Sequence, residues 1–129
     1  MFEAPGLMKM AQSLARYSGA RQAQIAQNVA NADVPGYRAK DIKDFAENYG
    51  QVRSTEVLVA TREKHLTASK TAPHFQSIDA GGEAAPNGNT VSVELELARS
   101  TDAKSSHDLA LSVYKSSLDI LRTALGRGR

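Results

Sequence analysis

Three histidines, His65, His74 and His107, are the side chains best suited to hold a metal or carry a proton near neutral pH. No H-x-x-x-H or H-E-x-x-H pattern joins them, so no helical turn presents two imidazoles to one ion. The chain has no cysteine, which removes disulfides, thiolate zinc sites, iron–sulfur ligation and a Cys nucleophile. Ser, His and Asp occur together but without a G-x-S-x-G elbow to expose a nucleophile. Neither a G-x-x-x-x-G-K-[ST] nor a G-x-G-x-x-G phosphate loop is present, and Gly81-Gly82 sits in a polar stretch that reads as flexible chain. No catalytic residue, cofactor or metal ligand is therefore expected, and an enzyme is the least supported class.

Chemistry of another kind is concentrated in Gln27-Asn28-Val29-Ala30-Asn31-Ala32-Asp33-Val34-Pro35-Gly36-Tyr37. Asn28 and Asn31 are three residues apart and share a helical face, where their amides can bond loop carbonyls or a neighbouring chain. Val34 precedes Pro35 and is pushed out of the α region; Pro35-Gly36 then sets a turn, with Gly free to take positive φ, and Tyr37 can anchor it. An ordinary helix stop needs only the Pro-Gly pair. The two asparagines add a polar requirement of their own.

Those residues must be held by long elements. The run from Leu7 to Asn31 is rich in Ala and Gln, with no Pro and one interior Gly at Gly19, and predicts a helix of about 25 residues and roughly 37 Å. Leu7, Met10, Leu14, Tyr17, Arg21, Ile25 and Asn28 step along one side, while Ala11, Ala15, Ala26 and Ala30 line another. A second stripe of small residues lets another backbone approach closely. From Val91 to Leu125 a second helix is expected, with Asn89, Thr90 or Ser92 as N-cap, Glu94 and Glu96 in its first turn and Gly126 at its stop. His107, Leu111, Tyr114, Leu118, Leu121 and Leu125 follow 3/4 spacing as an a/d seam of nearly three heptads, which makes His107 an interface residue in preference to a ligand.

Between the helices, residues 37–90 carry seven positive and seven negative side chains and the turn-forming Gly81-Gly82 and Pro86-Asn87-Gly88-Asn89. The chain thus divides into 1–36 (first helix and Asn-rich turn), 37–90 (polar loops with a short strand or hairpin, at Val57-Leu58-Val59-Ala60) and 91–129 (last helix). The predicted fold class is mainly α, with the terminal helices paired as an antiparallel, coiled-coil-like hairpin. At 5% aromatic residues, no Trp and a mean hydropathy of -0.40, two helices packed only on each other make a thin core, which points to completion by neighbouring subunits.

The charge balance is +2, from 16 Lys+Arg and 14 Asp+Glu spread in alternating sign, which argues against nucleic acid as a partner. No stretch approaches the roughly 20 apolar residues of a membrane span, and Met1-Phe2-Glu3-Ala4-Pro5-Gly6 lacks the basic-then-apolar order of a cleavable signal.

At the Asn-rich turn the chain resembles the flagellar axial proteins, the family of rod, hook and filament-junction subunits whose first helix ends in N-[IV]-A-N-x-x-T-P-G-Y. Asn28, Val29, Ala30, Asn31, Pro35, Gly36 and Tyr37 fit, and Val34 stands in place of the usual Thr, removing a hydroxyl but keeping the turn. Arg38-Ala39-Lys40-Asp41 with Phe45, Leu58-Val59-Ala60-Thr61 with His65-Leu66, and Asn89-Thr90-Val91-Ser92-Val93-Glu94 extend the resemblance to all three segments. Hook and distal-rod members carry large β domains between their terminal helices. The middle of about 54 residues here resembles the short, proximal-rod members.

The resemblance implies a structural subunit exported by the flagellar type III apparatus without signal cleavage, and assembling in the periplasm into a helical tube that transmits torque and encloses the export channel. The implied partners are copies of itself, other rod proteins, the rod-base adaptor, the membrane ring and the export gate, for which Phe45-Ala46-Glu47-Asn48-Tyr49 is a candidate recognition segment. Leu14, Ile25, Asn28, Asn31, Leu111, Tyr114, Leu118 and Leu121 are the expected assembly residues, with Pro35, Gly36 and Tyr37 fixing the turn. Two other classes stay open: a helical adaptor linking the membrane ring to the rod, and, less favoured, a small basic nucleic-acid-binding module.

Overall fold

The computed structural model describes residues 6–54 and 75–126. Five elements follow in order: α1 (Gly6–Ala30), β1 (Lys40–Ile42), α2 (Phe45–Ser54), β2 (Ser77–Asp79) and α3 (Val93–Gly126). The two long helices have 25 and 34 residues, within a residue or two of the lengths that composition and stop signals predict. Ser92 is the N-cap of α3: its Oγ accepts from Leu95 N at 3.4 Å and its carbonyl from Glu96 N at 2.9 Å.

The helices pair antiparallel, as expected. Asn28 contacts Glu96 and Gln22 contacts Ser100, so positions that descend along α1 ascend along α3. The face of α3 that α1 covers is not the leucine seam. Its buried residues are Glu96, Ala103, Ala110 and Ser117, spaced by seven, whereas Leu111 is 50% and Leu125 80% exposed. Small side chains win the inner face because they let the two backbones come close, and this turns the leucines to the flank and to solvent. On α1 the stripe through Tyr17, Ile25 and Asn28 is buried as predicted, but toward the N-terminal end Met8 and Ala11 are buried and Leu7 and Met10 are not.

The middle of the chain lies against α1. β1 and β2 pair antiparallel, Lys40 opposite Asp79, Asp41 opposite Ile78 and Ile42 opposite Ser77. Such a lone two-stranded ribbon is marginal in water; here Ala39 and Ile42 are buried. Tyr17 of α1 is the aromatic anchor, its ring centroid 5.5 Å from Phe45 and 5.6 Å from Phe75, while Tyr49 lies 5.4 Å from Phe45. The strand expected at Val57–Ala60, together with His65 and the segment around it, lies outside the described residues. α2 is an element the composition did not suggest, yet Asp44 just before it and Glu47 in its first turn have the spacing of a capping box.

Candidate assembly interface

The Asn-rich motif folds into one end of the hairpin. Tyr37 N donates to Val34 O at 3.3 Å, closing a turn with Pro35 and Gly36 at its centre; Gly36 has φ 72°, the positive value that a type II turn requires at that position. The Asn31 amide folds back to donate to Gln27 O at 2.7 Å, a carbonyl that also accepts from Asn31 N at 3.2 Å, so both nitrogens of Asn31 fasten the last turn. Asn89, buried, completes that end. Its Nδ2 reaches Asn31 O, Ala32 O and Val34 O at 3.0, 2.8 and 2.8 Å, and its Oδ1 accepts from Val91 N at 2.7 Å.

Asn28 is the hub, with no exposed surface. Its side-chain amide pairs with the backbone of Lys40 as a strand would, Nδ2 donating to Lys40 O at 2.7 Å and Oδ1 accepting from Lys40 N at 3.1 Å. Tyr37 Oη also donates to Oδ1 at 3.3 Å, so turn and helix are tied by the motif's own residues. Asn28 Nδ2 donates to Glu96 Oε2 at 3.0 Å, which joins α1 to α3.

From Glu96, only 1% exposed, charge runs through the junction. Arg99 Nη1 donates to Glu96 Oε1 at 2.6 Å, and Arg99 Nε lies 3.9 Å from Asp41 Oδ2. Asp41 accepts two parallel bonds from Arg21, at 3.0 and 2.9 Å. Burial pushes the Asp41 carboxyl up, but the Arg21 hydrogen bond, the Ile42 N–H and the charges of Arg21 and Arg99 outweigh it and hold the group below its ordinary value. The same hydrogen bond raises Arg21, and burial raises the Tyr17 phenol. Among the described residues no buried side-chain nitrogen or oxygen is left without a partner.

Outside this junction the molecule offers apolar surface. Leu97, Leu109, Ile120 and Leu125 on α3 and Leu7 and Val29 on α1 are exposed. A groove of about 490 Å³ runs between the helices, floored by Gly19, Ala23, Ala26 and Ala103 and edged by Ser18, Gln22, Lys104 and His107. His107 is half-buried at that edge. The expected assembly residues therefore separate. Asn28, Asn31, Pro35, Gly36 and Tyr37 build the junction, and Ile25 is buried in the helix pair. Leu14, Tyr114, Leu118 and Leu121 are half-buried on its flanks, and Leu111 faces solvent.

Glu96, Arg99, Asp41 and Asn89 were not singled out as a set by spacing. Two signals were legible: Glu96 and Arg99 are three apart on one helix, and Arg21 interrupts the stripe between Tyr17 and Ile25. Among the described residues no cluster of three or more His, Asp or Glu is placed to hold a metal, and no helix is long and apolar enough to cross a membrane. In the folded chain Phe45 is engaged by Tyr17 of α1, and Tyr49 packs on Phe45 within α2.

No protein-family model matches the chain. Individual proteins do. It is 30% identical over 117 residues to the flagellar basal body rod protein FlgB of Escherichia coli (strain K12), covering 84% of both chains. It is 31% identical over 115 residues to the protein of that name from Agrobacterium fabrum, covering 85% of both, and 27% identical to that of Yersinia enterocolitica over 95% of this chain and 96% of the relative.

Proposed function

Because the chain belongs to the FlgB family of flagellar basal body rod proteins, we propose that it is a structural, non-catalytic subunit of the proximal rod. It assembles with copies of itself and with other rod proteins into a tube in the periplasm that transmits torque and surrounds the export channel. Its terminal helices form the contacts. The observation that carries this reading is the inside-out distribution of large aliphatic side chains on α3: alanines face α1, while Leu111, Ile120 and Leu125 face water. A chain that stayed monomeric would leave that surface wet at a cost of roughly 25 cal/mol per Å².

The rod-base adaptor, the membrane ring and the export gate are the further partners of this reading, and passage to the periplasm proceeds without signal cleavage. Leu111→Asp combined with Leu125→Asp tests it, because both side chains are exposed and the monomer fold does not need them. Expressed as the only copy of the gene, the variant accumulates at normal level, forms no isolable rods and leaves cells non-motile. Normal rods and swimming would overturn the assignment of this face.

A further inference from the structure

The inner face of α3 repeats with a period of seven, Glu96, Ala103, Ala110 and Ser117, and the spacing continues one heptad on at Ala124, which is exposed. Four of the five are small. The small members of the repeat do not by themselves choose between registers one heptad apart, because a slide puts Ala110, Ser117 and Ala124 where Ala103, Ala110 and Ser117 stand, small residue for small residue; only Glu96 differs in kind from what replaces it.

The lengths of the helices leave room for the alternative. Asn28 lies against Glu96, and stepping equally far from each contact residue brings Gly6 of α1 level with Leu118 of α3, so residues 119–126 extend past the described start of α1. Those eight residues are one heptad and one residue more. Sliding α3 by seven residues, about 10.5 Å, draws this extension alongside α1 and still leaves α1 covered along its length.

What opposes the slide is polar and lies at one end. Glu96 meets the Asn28 amide, its neighbour Arg99 lies 3.9 Å from Asp41, Asn89 holds three carbonyls at the end of α1, and beside it Thr90 N donates to Tyr37 O and Thr90 Oγ1 accepts from Ala39 N. After a slide Ala103 faces Asn28, Glu96 moves beyond the end of α1 into water, and the Asn89 contacts are broken. We propose that Glu96 and Asn89 are a register lock, and that the hairpin has a second register, one heptad away, in which the tip of α3 is withdrawn against α1. The apolar packing sets how closely the helices approach; the lock sets how far α3 projects.

Cross-linking decides this cleanly, because the chain has no cysteine of its own. One cysteine pair replaces Gln22 and Ser100, whose side chains touch at 2.7 Å; the other replaces Gln22 and His107, the residue that a one-heptad slide brings to the same place. A bifunctional thiol reagent shorter than the 10.5 Å slide separates the registers. In the otherwise unchanged full-length protein the 22/100 product dominates. Glu96→Ala raises the ratio of 22/107 to 22/100 product at least about tenfold, and Glu96→Ala with Asn89→Ala raises it further, because each substitution removes contacts made in one register only. Circular dichroism reports that the helices persist. If 22/100 remains the dominant product in the double variant, or if both products vanish with the helical signal, the face holds no second register and the proposal falls.

Discussion

Where α1 stops, the side chains withdrawn from water are polar: Asn28, Asn89 and Glu96 are buried, and none of their buried nitrogens or oxygens lacks a hydrogen-bond partner. At the far end of α3 the side chains left in water are apolar, with Ile120 68% and Leu125 80% exposed. The two ends divide the work of a subunit. Directional bonds at the junction specify one arrangement of the chain with itself, since an amide or carboxylate is stable there only with particular partners. Non-directional apolar surface at the tip is stable only when something else covers it. A single chain thus carries its directional bonds at one end, while exposed apolar side chains run along the outer side of α3 from Leu97 to Leu125 and are most exposed at the tip.

Substitutions at the junction should therefore damage the monomer, and those at the tip should spare it. The largest effect is expected for Asn28→Ala, which strips Glu96 of its α1 partner and leaves the Lys40 N–H and carbonyl unpaired. A loss of about 3–5 kcal/mol in chemical denaturation is predicted, enough to unfold a marginal hairpin. Asn89→Ala follows, at about 1–3 kcal/mol, because the carbonyls of Asn31, Ala32 and Val34 lose a shared donor. Ala110→Leu, in the middle of the close-packed face, should cost about 1–3 kcal/mol by forcing the helices apart.

Acid should act at the junction as well. The Asp41 carboxyl titrates lower folded than unfolded, so its contribution is present above the ordinary carboxylate value near 4 and is lost as pH falls through the lower folded value. A thermal melt followed from pH 6 down to pH 2 should fall on the acid side, and Asp41→Asn should flatten that fall. The smallest effect is expected at the tip, where Leu125→Asp should change monomer stability by less than about 0.5 kcal/mol.

The same contrast explains what sequence could and could not tell. Both long helices, their ends and the Val34–Tyr37 turn were legible because local rules govern them: propensity, capping, and Pro followed by Gly. The Asn28 and Asn31 amides were legible as a need for polar partners, but not which partners, because Lys40, Glu96 and Asn89 arrive from distant parts of the chain. The 3/4 spacing from Leu111 to Leu125 marked a seam expected to serve assembly, and the face that the helix pair buries is the alanine heptad beside it. Periodicity identifies faces, and both faces of α3 are periodic. Which one a partner helix takes depends on how closely the backbones approach, a property of the pair.

Hydrogen exchange on the isolated subunit and on assembled rods compares the two ends most directly. The account predicts that amides of residues 24–31 and 96–103 are protected in the monomer and change little on assembly. Amides of residues 119–126 should exchange fast in the monomer and gain at least about a hundredfold protection in the rod. Equal protection along α3 in the monomer, or an unchanged tip in the rod, would contradict it.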